Sequence, residues 1–440
     1  MLQRTFVLLF AAVTAAVVRS HASGVDGMRA SPGTRGTRMR DTSTDEVTLM
    51  ETTHRLYFVE SIEYIETGPV TSMDVPAWQL SNNVGMSVKA MAEGANMVQI
   101  TKNNVDYVWG NVDGACYYGA DTNAFPLTRG LIIHGGIRFA AATAEHGLYY
   151  DTDWDVSFKE TSDGRSKSII FSITDTEEQR LALNDTGSIG SFSHSDASDV
   201  PLSNYPVSNL TYTFTITLNA DEEYVRLDMA VENPTTEFAR AEAWLSQTYP
   251  IDENSQIISS QQRRWRKDTW CFPDTPNIVD CNTDELLHPL KWNTSIGGIY
   301  YDWPTMDGGY HAVNTPSAKR GIAYVTDPDS MHFTKLWSWG NEDLYNRTEA
   351  LLQDPPLSAG RPASPYYESW GSAFNHAFFQ TYEFPPFTKF SWSAAIVPIE
   401  NGMEDADQIK LRLAVEEAIA RLDVQVQAPQ TSDTKPYHFN

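Results

Sequence analysis

The chain of 440 residues is poor in basic side chains, with 32 Lys and Arg against 57 Asp and Glu and a net charge of −25 at pH 7. Nucleic acids and anionic membrane surfaces bind basic patches, so this excess of acid argues against both as partners. It also makes a polyanionic glycan a less natural substrate, although a local basic pocket could overrule the global sign.

The motifs of several familiar enzyme classes are also missing. The sequence has no Gly-rich phosphate loop, no His-Glu-x-x-His and no Gly-x-Ser-x-Gly. These patterns would have indicated a nucleotide site, a zinc hydrolase or a serine hydrolase. No set of candidate ligands has the spacing of a metal site, so we expect neither a metal nor a cofactor.

Long apolar runs are absent after residue 22. The one run, from Phe6 to Val18, follows Arg4 and is shorter than the ~20 residues that cross a bilayer. Ser20 and Ala22 offer the small residues of a signal-peptidase site. We therefore predict a signal peptide at residues 1–22, a secreted extracellular protein, and no membrane segment after cleavage. The alternative is an uncleaved signal anchor.

Both ends of the mature chain have the composition of loose segments. Residues 23–45 contain Gly, Ser, Thr, Arg and Asp with almost no apolar residues, which predicts a disordered leader, and residues 426–440 predict a flexible tail. Residues 46–425 show no break in composition and are predicted to form one large domain. The alternative is a two-domain split near residues 250–284.

Cysteine is scarce, with three in the chain. Cys271 and Cys281 lie close together in a stretch rich in Pro, Asp and Asn and could close a small loop as a disulfide. Cys116 would then have no disulfide partner. The alternative is that all three are reduced. Export also predicts N-linked glycans at four Asn-x-Ser/Thr sites, namely Asn184, Asn209, Asn293 and Asn346.

Most of the chain alternates apolar and polar residues with a period of two. Residues 210–220 and 223–232 each predict a strand with one buried face, joined by a hairpin turn. Further strands are predicted at residues 55–65, 88–101, 154–160, 168–175, 321–326, 332–339, 376–383 and 388–399. We therefore predict an all-β fold of packed antiparallel sheets.

One segment, residues 405–422, has a convincing helical pattern. Its apolar residues largely share one side of the helix, and charged residues cover the other. The apolar set is Ile409, Leu411, Leu413, Val415, Ile419 and Leu422. We predict a C-terminal amphipathic helix packed on a sheet.

Two histidines occur in the stretch from residue 129 to residue 150. His134 ends a predicted strand, Gly135 and Gly136 then allow a close backbone approach, and His146 follows Glu145. Both histidines could act as acid, base or hydrogen-bond donor near neutral pH. The plainer interpretation is one buried structural histidine and one surface histidine.

Aromatic residues surround the other candidates. Trp337 and Trp339 lie two residues apart, so a strand would direct both to one side. They form either a sugar platform or a core layer. Glu368 lies among aromatics on a predicted strand, where a carboxylate suits a general acid or base. The alternative is a Glu368 that is paired with an Arg or Lys.

Several stretches between residues 50 and 400 follow one another in an order that resembles a known superfamily. In chain order they are Gly135-Gly136-Ile137 followed by His146, Asn233-Pro234-Thr235, Gly321-Ile322-Ala323-Tyr324-Val325, Lys335-Leu336-Trp337-Ser338-Trp339-Gly340, Tyr367-Glu368, and Ser391-Trp392 with Pro398. The order resembles the galactose-mutarotase-like β-supersandwich superfamily, and most closely its uncharacterised branch, domain of unknown function 5107 (DUF5107).

The resemblance implies a large antiparallel β-supersandwich with a carbohydrate site on its concave face. In the mutarotases of this superfamily, a His donates a proton to the ring oxygen and a Glu takes the anomeric hydroxyl proton. Glu368 matches that Glu by order and flanking residues, and His134 resembles the His of the aldose-epimerase His-Gly-Gly. The related branch has a Glu after Gly-Gly-Ile, where this chain has Arg138.

Three hypotheses for function follow. The first is an epimerase-like or mutarotase-like enzyme that uses Glu368 with His134 or His146. The second is a secreted polysaccharide lyase or glycoside hydrolase, and the third is a non-catalytic glycan-binding protein. The predicted partner is a carbohydrate and the predicted state is a monomer. The predicted substrate-binding residues are Arg138, Tyr150, Trp337, Trp339 and Trp370.

Overall fold

The computed structural model describes fifteen stretches of the chain. They are residues 46–59, 70–109, 116–117, 135–142, 147–150, 152–186, 206–251, 255–261, 264–267, 290–291, 298–302, 306–326, 333–339, 366–373 and 381–400. The predicted signal peptide, leader, C-terminal helix and tail lie outside these residues. So do His134, His146, Cys271, Cys281, Asn293 and Asn346.

The described residues form two large sheets. The first, which we call the large sheet, has thirteen strands within the described residues, in the order β14-β16-β19-β20-β12-β7-β4-β3-β2-β1-β6, with β21 beside β12 and β5 beside β4. In chain order its strands are β1 (Thr48–Val59), β2 (Val70–Ser81), β3 (Met86–Met91), β4 (Asn96–Lys102), β5 (Val105–Asp106), β6 (Cys116–Tyr117), β7 (Ile137–Ala142), β12 (Ala239–Pro250), β14 (Arg264–Lys267), β16 (Gly298–Asp302), β19 (Phe333–Trp339), β20 (Tyr366–Ser372) and β21 (Tyr382–Phe384).

The second, the small sheet, has nine strands in the described residues, in the order β15-β13-β17-β18-β22-β11-β10-β9-β8. Its strands are β8 (Asp155–Glu160), β9 (Ser166–Thr174), β10 (Thr211–Asn219), β11 (Val225–Glu232), β13 (Gln256–Gln261), β15 (Leu290–Lys291), β17 (Met306–Thr315), β18 (Arg320–Thr326) and β22 (Lys389–Glu400). All pairings between these strands are antiparallel except that of β1 with β6. The predicted all-β antiparallel sandwich is confirmed.

The alternation of residues in β10 and β11 shows why these segments become strands. In β10, Tyr212, Phe214, Ile216 and Leu218 are fully buried, and the threonines between them are partly exposed. Strand β11 repeats this pattern and pairs with β10 across the predicted hairpin turn. Because side chains alternate between the two faces of a strand, each strand presents an apolar face to the core and a polar face to solvent.

Aromatic rings join the two sheets in the core. The ring of Phe139, on β7 of the large sheet, lies 5.5 Å from the ring of Trp392 and 6.1 Å from that of Tyr212, both on the small sheet. Each contact is edge-to-face, which is a favoured aromatic geometry. The two sheets therefore share one core under β7, β10 and β22.

Two local expectations need correction. The single strand predicted at residues 88–101 is a hairpin, β3 and β4, because Gly94 and Ala95 take left-handed φ angles of 66° and 46° and reverse the chain. A helix, α1 (Glu177–Thr186), was not predicted from the pattern. None of the helices in the described ranges is long and apolar enough to cross a membrane.

Helix α1 is anchored by a buried carboxylate. Asp175 is fully buried and accepts hydrogen bonds from Tyr149 Oη at 2.6 Å, from Arg180 Nε at 2.6 Å and from Ser208 Oγ at 2.6 Å. Burial alone would raise the pKa of Asp175, but the hydrogen bonds and charge of Arg180 outweigh it and lower the pKa below its ordinary value. Helix α1 therefore forms because a tertiary ion pair holds it, which explains why a helical pattern alone did not reveal it.

We expect Asp175→Asn to destabilise the protein by about 3–5 kcal/mol, because it leaves the buried Arg180 guanidinium without its counter-charge. The matched control is Asp74→Asn, which breaks the exposed Arg55–Asp74 pair at 2.8 Å and should leave stability unchanged within error. Urea unfolding at neutral pH measures both. Equal losses in the two variants would contradict a special role for the buried pair.

A second buried polar contact joins the two sheets. His311 on β17 is fully buried, and its Nε2 lies 2.8 Å from Ser369 Oγ on β20. The His311 ring also stacks on Tyr324 at 4.9 Å. Burial lowers the pKa of His311 from 6.5 to about 3, so the imidazole is neutral in the folded protein at neutral pH.

We expect stability to fall as the pH drops from about 6.5 toward 3, because the unfolded chain then binds a proton that folded His311 does not. One such group contributes a slope of up to about 1.4 kcal/mol per pH unit. His54, whose pKa burial and the charge of Lys89 lower to about 4, adds to the same slope.

The measurement is urea unfolding at several values between about pH 7 and pH 5, above the range in which carboxylates titrate. His311→Asn should lower stability at pH 7 and make the pH slope shallower than that of the wild type. A variant with the wild-type slope would show that His311 is not the titrating group.

Candidate functional site

The site candidates lie on the face of the large sheet that points away from the small sheet, which we call the outer face. On β12, Leu245 and Tyr249 belong to the core between the sheets. The alternate residues Ser246 and Thr248 therefore belong to the outer face. Register then carries this assignment to the neighbouring strands, because directly paired residues share a face.

One row of paired residues crosses four adjacent strands of this face. Arg138 on β7 pairs with Ser246 on β12, Ser246 pairs with Trp370 on β20, and Trp370 pairs with Lys335 on β19. The row also continues to Asn96 on β4. Arg138 and Trp370, which are more than 230 positions apart in sequence, are thus separated by a single strand.

The next row contains the predicted base. Thr248 on β12 pairs with Glu368 on β20, and Glu368 pairs with position 337 on β19. Position 339 pairs with Tyr366 one row further along. The predicted residues Arg138, Glu368, Trp337, Trp339 and Trp370 therefore occupy one continuous region of the outer face.

The register also sets the scale of the region. Arg138 and Glu368 are two strands apart and one row apart, which places their Cα atoms roughly 12 Å from each other at ordinary strand spacing. Arg138 is 6% exposed and Glu368 is partly exposed, so other parts of the chain cover much of this region.

Trp370 holds the carboxylate of Glu368. Its indole Nε1 donates a hydrogen bond to Glu368 Oε1, and Trp370 itself is only 1% exposed, whereas Glu368 is partly exposed. On the opposite side of β20, Ser369 is bound by His311 from the small sheet. Glu368 is thus oriented by the indole of Trp370, and its strand is held by the contact between Ser369 and His311 of the small sheet.

A second carboxylate–indole pair lies on β12 and was not singled out from the sequence. Trp244 Nε1 donates a 2.9 Å hydrogen bond to Glu242 Oε2, and both residues are fully buried. The signal was present as Glu-x-Trp, the same spacing as Glu368-x-Trp370. In a strand this spacing puts the carboxylate and the indole on the same face.

The Gly-Gly corner before β7 is built around close backbone contacts, as predicted. Gly135 and Gly136 have φ angles of 64° and 83°, in the left-handed region that favours glycine. Thr248 Oγ1 donates to the carbonyl of Gly136 at 2.9 Å, and Asn96 Nδ2 donates to that of Gly135 at 3.0 Å. These contacts fix where β7 begins and hence where Arg138 lies.

The remaining predicted residues lie in other parts of the fold or outside the described residues. Tyr150 is buried near the β3–β4 turn, where its backbone leaves no room for a Cβ on Gly94. Asn209 is exposed just before β10, and Asn184 lies within α1. Among the described residues, no three His, Cys, Asp or Glu side chains are grouped closely enough to hold a metal ion.

No protein-family model matches the chain, and no curated protein matches it. Among solved structures, it is similar to a TPR-domain containing protein from Parabacteroides distasonis, with a TM-score of 0.57 and 13% identity, over 82% of this chain and 57% of that one. The chain thus spans little more than half the length of that protein. At this identity the likeness is one of fold alone.

Two further similar structures cover nearly the whole of the other protein. One is a galactose mutarotase-like protein from Clostridium acetobutylicum, with a TM-score of 0.46 and 8% identity over 81% of this chain and 99% of that one. The other is a galactose mutarotase related enzyme from Lactobacillus acidophilus, with a TM-score of 0.45 and 12% identity over 73% and 97%.

We expect Gly136→Ala to disrupt the site, because a Cβ there would lie 2.2 Å from Asn96 Oδ1 and 2.8 Å from the Met97 carbonyl oxygen. Gly164→Ala is the matched control: its φ is also positive, at 71°, but its Cβ would meet flexible side chains, those of Glu46 at 3.2 Å and Glu160 at 3.7 Å. The control should cost only the backbone strain of a left-handed alanine, about 1–2 kcal/mol, and Gly136→Ala clearly more. Thermal unfolding compares the two, and equal losses would contradict the steric account.

Proposed function

We propose that this protein binds a carbohydrate on the outer face of the large sheet and acts on it by epimerase-like acid–base chemistry. The observation that carries the proposal is the register, which gathers Arg138, Glu368, Trp337 and Trp339 into neighbouring rows of one face. A carboxylate, a guanidinium and aromatic residues are the groups that bind sugar hydroxyls and sugar C–H surfaces. The family resemblance, including that to the DUF5107 branch, supports the same assignment.

In this proposal Glu368 is the base. Its carboxylate takes the proton of the anomeric hydroxyl while an acid, His134 or His146, protonates the ring oxygen, so that the ring opens. Rotation about the C1–C2 bond of the open-chain aldehyde then presents the other face of the carbonyl, and the reverse proton transfers close the ring as the other anomer. In this scheme the hydrogen bond from Trp370 orients the carboxylate that takes the proton.

Glu242 is a second described carboxylate on the outer face, and its position does not support glycoside hydrolysis together with Glu368. Thr248, the partner of Glu368, lies six residues from Glu242 along β12, which is roughly 20 Å of extended strand. Hydrolysis by two carboxylates requires a separation of about 5–10 Å. Among the described residues, Glu242 and Glu368 therefore do not form such a pair.

We also propose that the protein acts outside the cell. The support is the apolar run at the N-terminus with a signal-peptidase site and the four Asn-x-Ser/Thr sites. Exposure of Asn209 is compatible with a glycan at that position. A secreted protein meets external sugars and cell-wall glycans, so in this proposal the sugar is released from, or part of, such a polymer.

The test follows the optical rotation of freshly dissolved aldoses with and without the protein. We expect acceleration by the wild type and a loss of about 10²–10⁴-fold in Glu368→Gln, which removes the base but keeps the shape. The control is Glu383→Gln, since Glu383 on β21 is exposed and bound to Arg240 at 3.2 Å, away from the site. The control should retain full activity.

Three results would decide against the proposal or part of it. No acceleration of any aldose would remove the chemistry, and full activity in Glu368→Gln would remove Glu368 as the base. Binding of sugars on a glycan array without any change in rotation would instead indicate a non-catalytic glycan-binding protein.

A further inference from the structure

The outer face of the small sheet is divided into two different halves. On β10 the outer residues are Thr211, Thr213, Thr215 and Thr217, all partly exposed, and β11 adds Arg226 and Asp228. On β17, β18 and the last part of β22, from Ala395 onward, the corresponding face is mainly apolar. We call this second half the apolar patch; it consists of Tyr224, Tyr310, Ala312, Ala323, Val325, Ala395 and Ile399, with Val397 packed against them.

The apolar patch is separate from the core between the sheets. On β22, Trp392, Ala394 and Ile396 face that core, and Ala395, Val397 and Ile399 alternate with them. The patch residues are nonetheless between 0% and 8% exposed, apart from the half-buried Val397. Because a sheet has only two faces, a second layer must cover the patch on the side away from the core.

The patch lies where the chain leaves the sheet. Strand β22 ends at Glu400, directly after Ile399 of the patch, and 40 residues follow. Within them, Leu411, Val415, Ile419 and Leu422 recur at the i, i+4, i+8 and i+11 spacing of a helix stripe. Lys410 and Glu417 fall on the opposite side of the same helix.

We infer that residues 405–422 form a helix that lies on the apolar patch, with Leu411, Val415, Ile419 and Leu422 against the sheet. The dimensions agree: a helix is about 10 Å across and covers two to three strands spaced about 4.8 Å apart, as β17, β18 and β22 are. The four residues between Glu400 and the helix reach up to about 14 Å, enough to fold back over β22.

The small side chains of the patch also favour this occupant. Ala312, Ala323 and Ala395 stand on three adjacent strands and are fully buried. They leave room for the larger Leu, Val and Ile side chains of a helix to pack between them. The small sheet is therefore a layer between the main core and a C-terminal helix.

The experiment locates the segment in the full-length protein with a photoreactive residue, p-benzoylphenylalanine, placed at position 415. The matched control carries the same residue at position 417, on the opposite side of the helix. Digestion and mass spectrometry after irradiation identify the linked peptides. We expect position 415 to link to peptides of β17, β18 or β22 in the same chain, with a several-fold higher yield than position 417.

A link from position 415 to a second chain would show that another copy covers the patch and would overturn the inference. Equal yields from both positions, or links to the large sheet only, would overturn it as well. A second pair of variants keeps the test independent of the bulky probe. Val415→Lys should lower the urea midpoint and increase binding of an apolar dye, whereas Glu417→Lys should do neither.

A substitution on the sheet completes the design. Val397→Lys places a charge in the half-buried part of the patch, and Ser391→Lys places one on an exposed outer position of the same strand. With p-benzoylphenylalanine at position 415, Val397→Lys should reduce the yield of the link to β22 several-fold and Ser391→Lys should leave it unchanged. An unchanged yield in both would contradict contact between the helix and the patch.

Discussion

Pairing of β12 on both of its edges is the constraint on which the candidate site depends. Along one edge, residues Glu242–Gln247 of β12 pair with β7. Along the other edge, residues Leu245–Pro250 of β12 pair with β20. Because these pairings overlap, the position of Arg138 along β7 and that of Glu368 along β20 are both set by β12. A shift of one residue in either pairing would send the affected side chain into the core.

The support for that register comes from contacts on both sides of the sheet. At the start of β7, Thr248 and Asn96 bind the carbonyl oxygens of the Gly135–Gly136 corner. Beneath β20, His311 of the small sheet binds Ser369, between Glu368 and Trp370. A precise site needs side chains that are held by such secondary contacts, and here they come from backbone turns and from the opposite sheet.

Other buried polar groups of the described residues are also held by hydrogen bonds. Asp175, Glu242 and His311 are all fully buried, and each has hydrogen-bond partners at ordinary distances. Buried charges and imidazoles are stable only when such partners are present. These groups tie elements that are distant in sequence, so they specify how the layers meet as much as they contribute to stability.

The sequence by itself determined the fold class and, within each strand, which side chains share a face. A period of two is a local property, so the buried residues of β10 and β11 could be predicted from it. The aromatic residues on either side of Glu368 also marked that residue. Helix α1 was not predicted because its stability comes from a buried ion pair rather than from its sequence pattern.

Only the tertiary structure decided which strands are neighbours and in which register they pair. Arg138, Ser246 and Trp370 fall in one row because three segments that are far apart in sequence meet in one sheet. Such pairings depend on how both sheets pack around their shared core, and no local pattern in the chain records them. For the same reason Glu242 and His311 gained their importance only once the strands around them were in place.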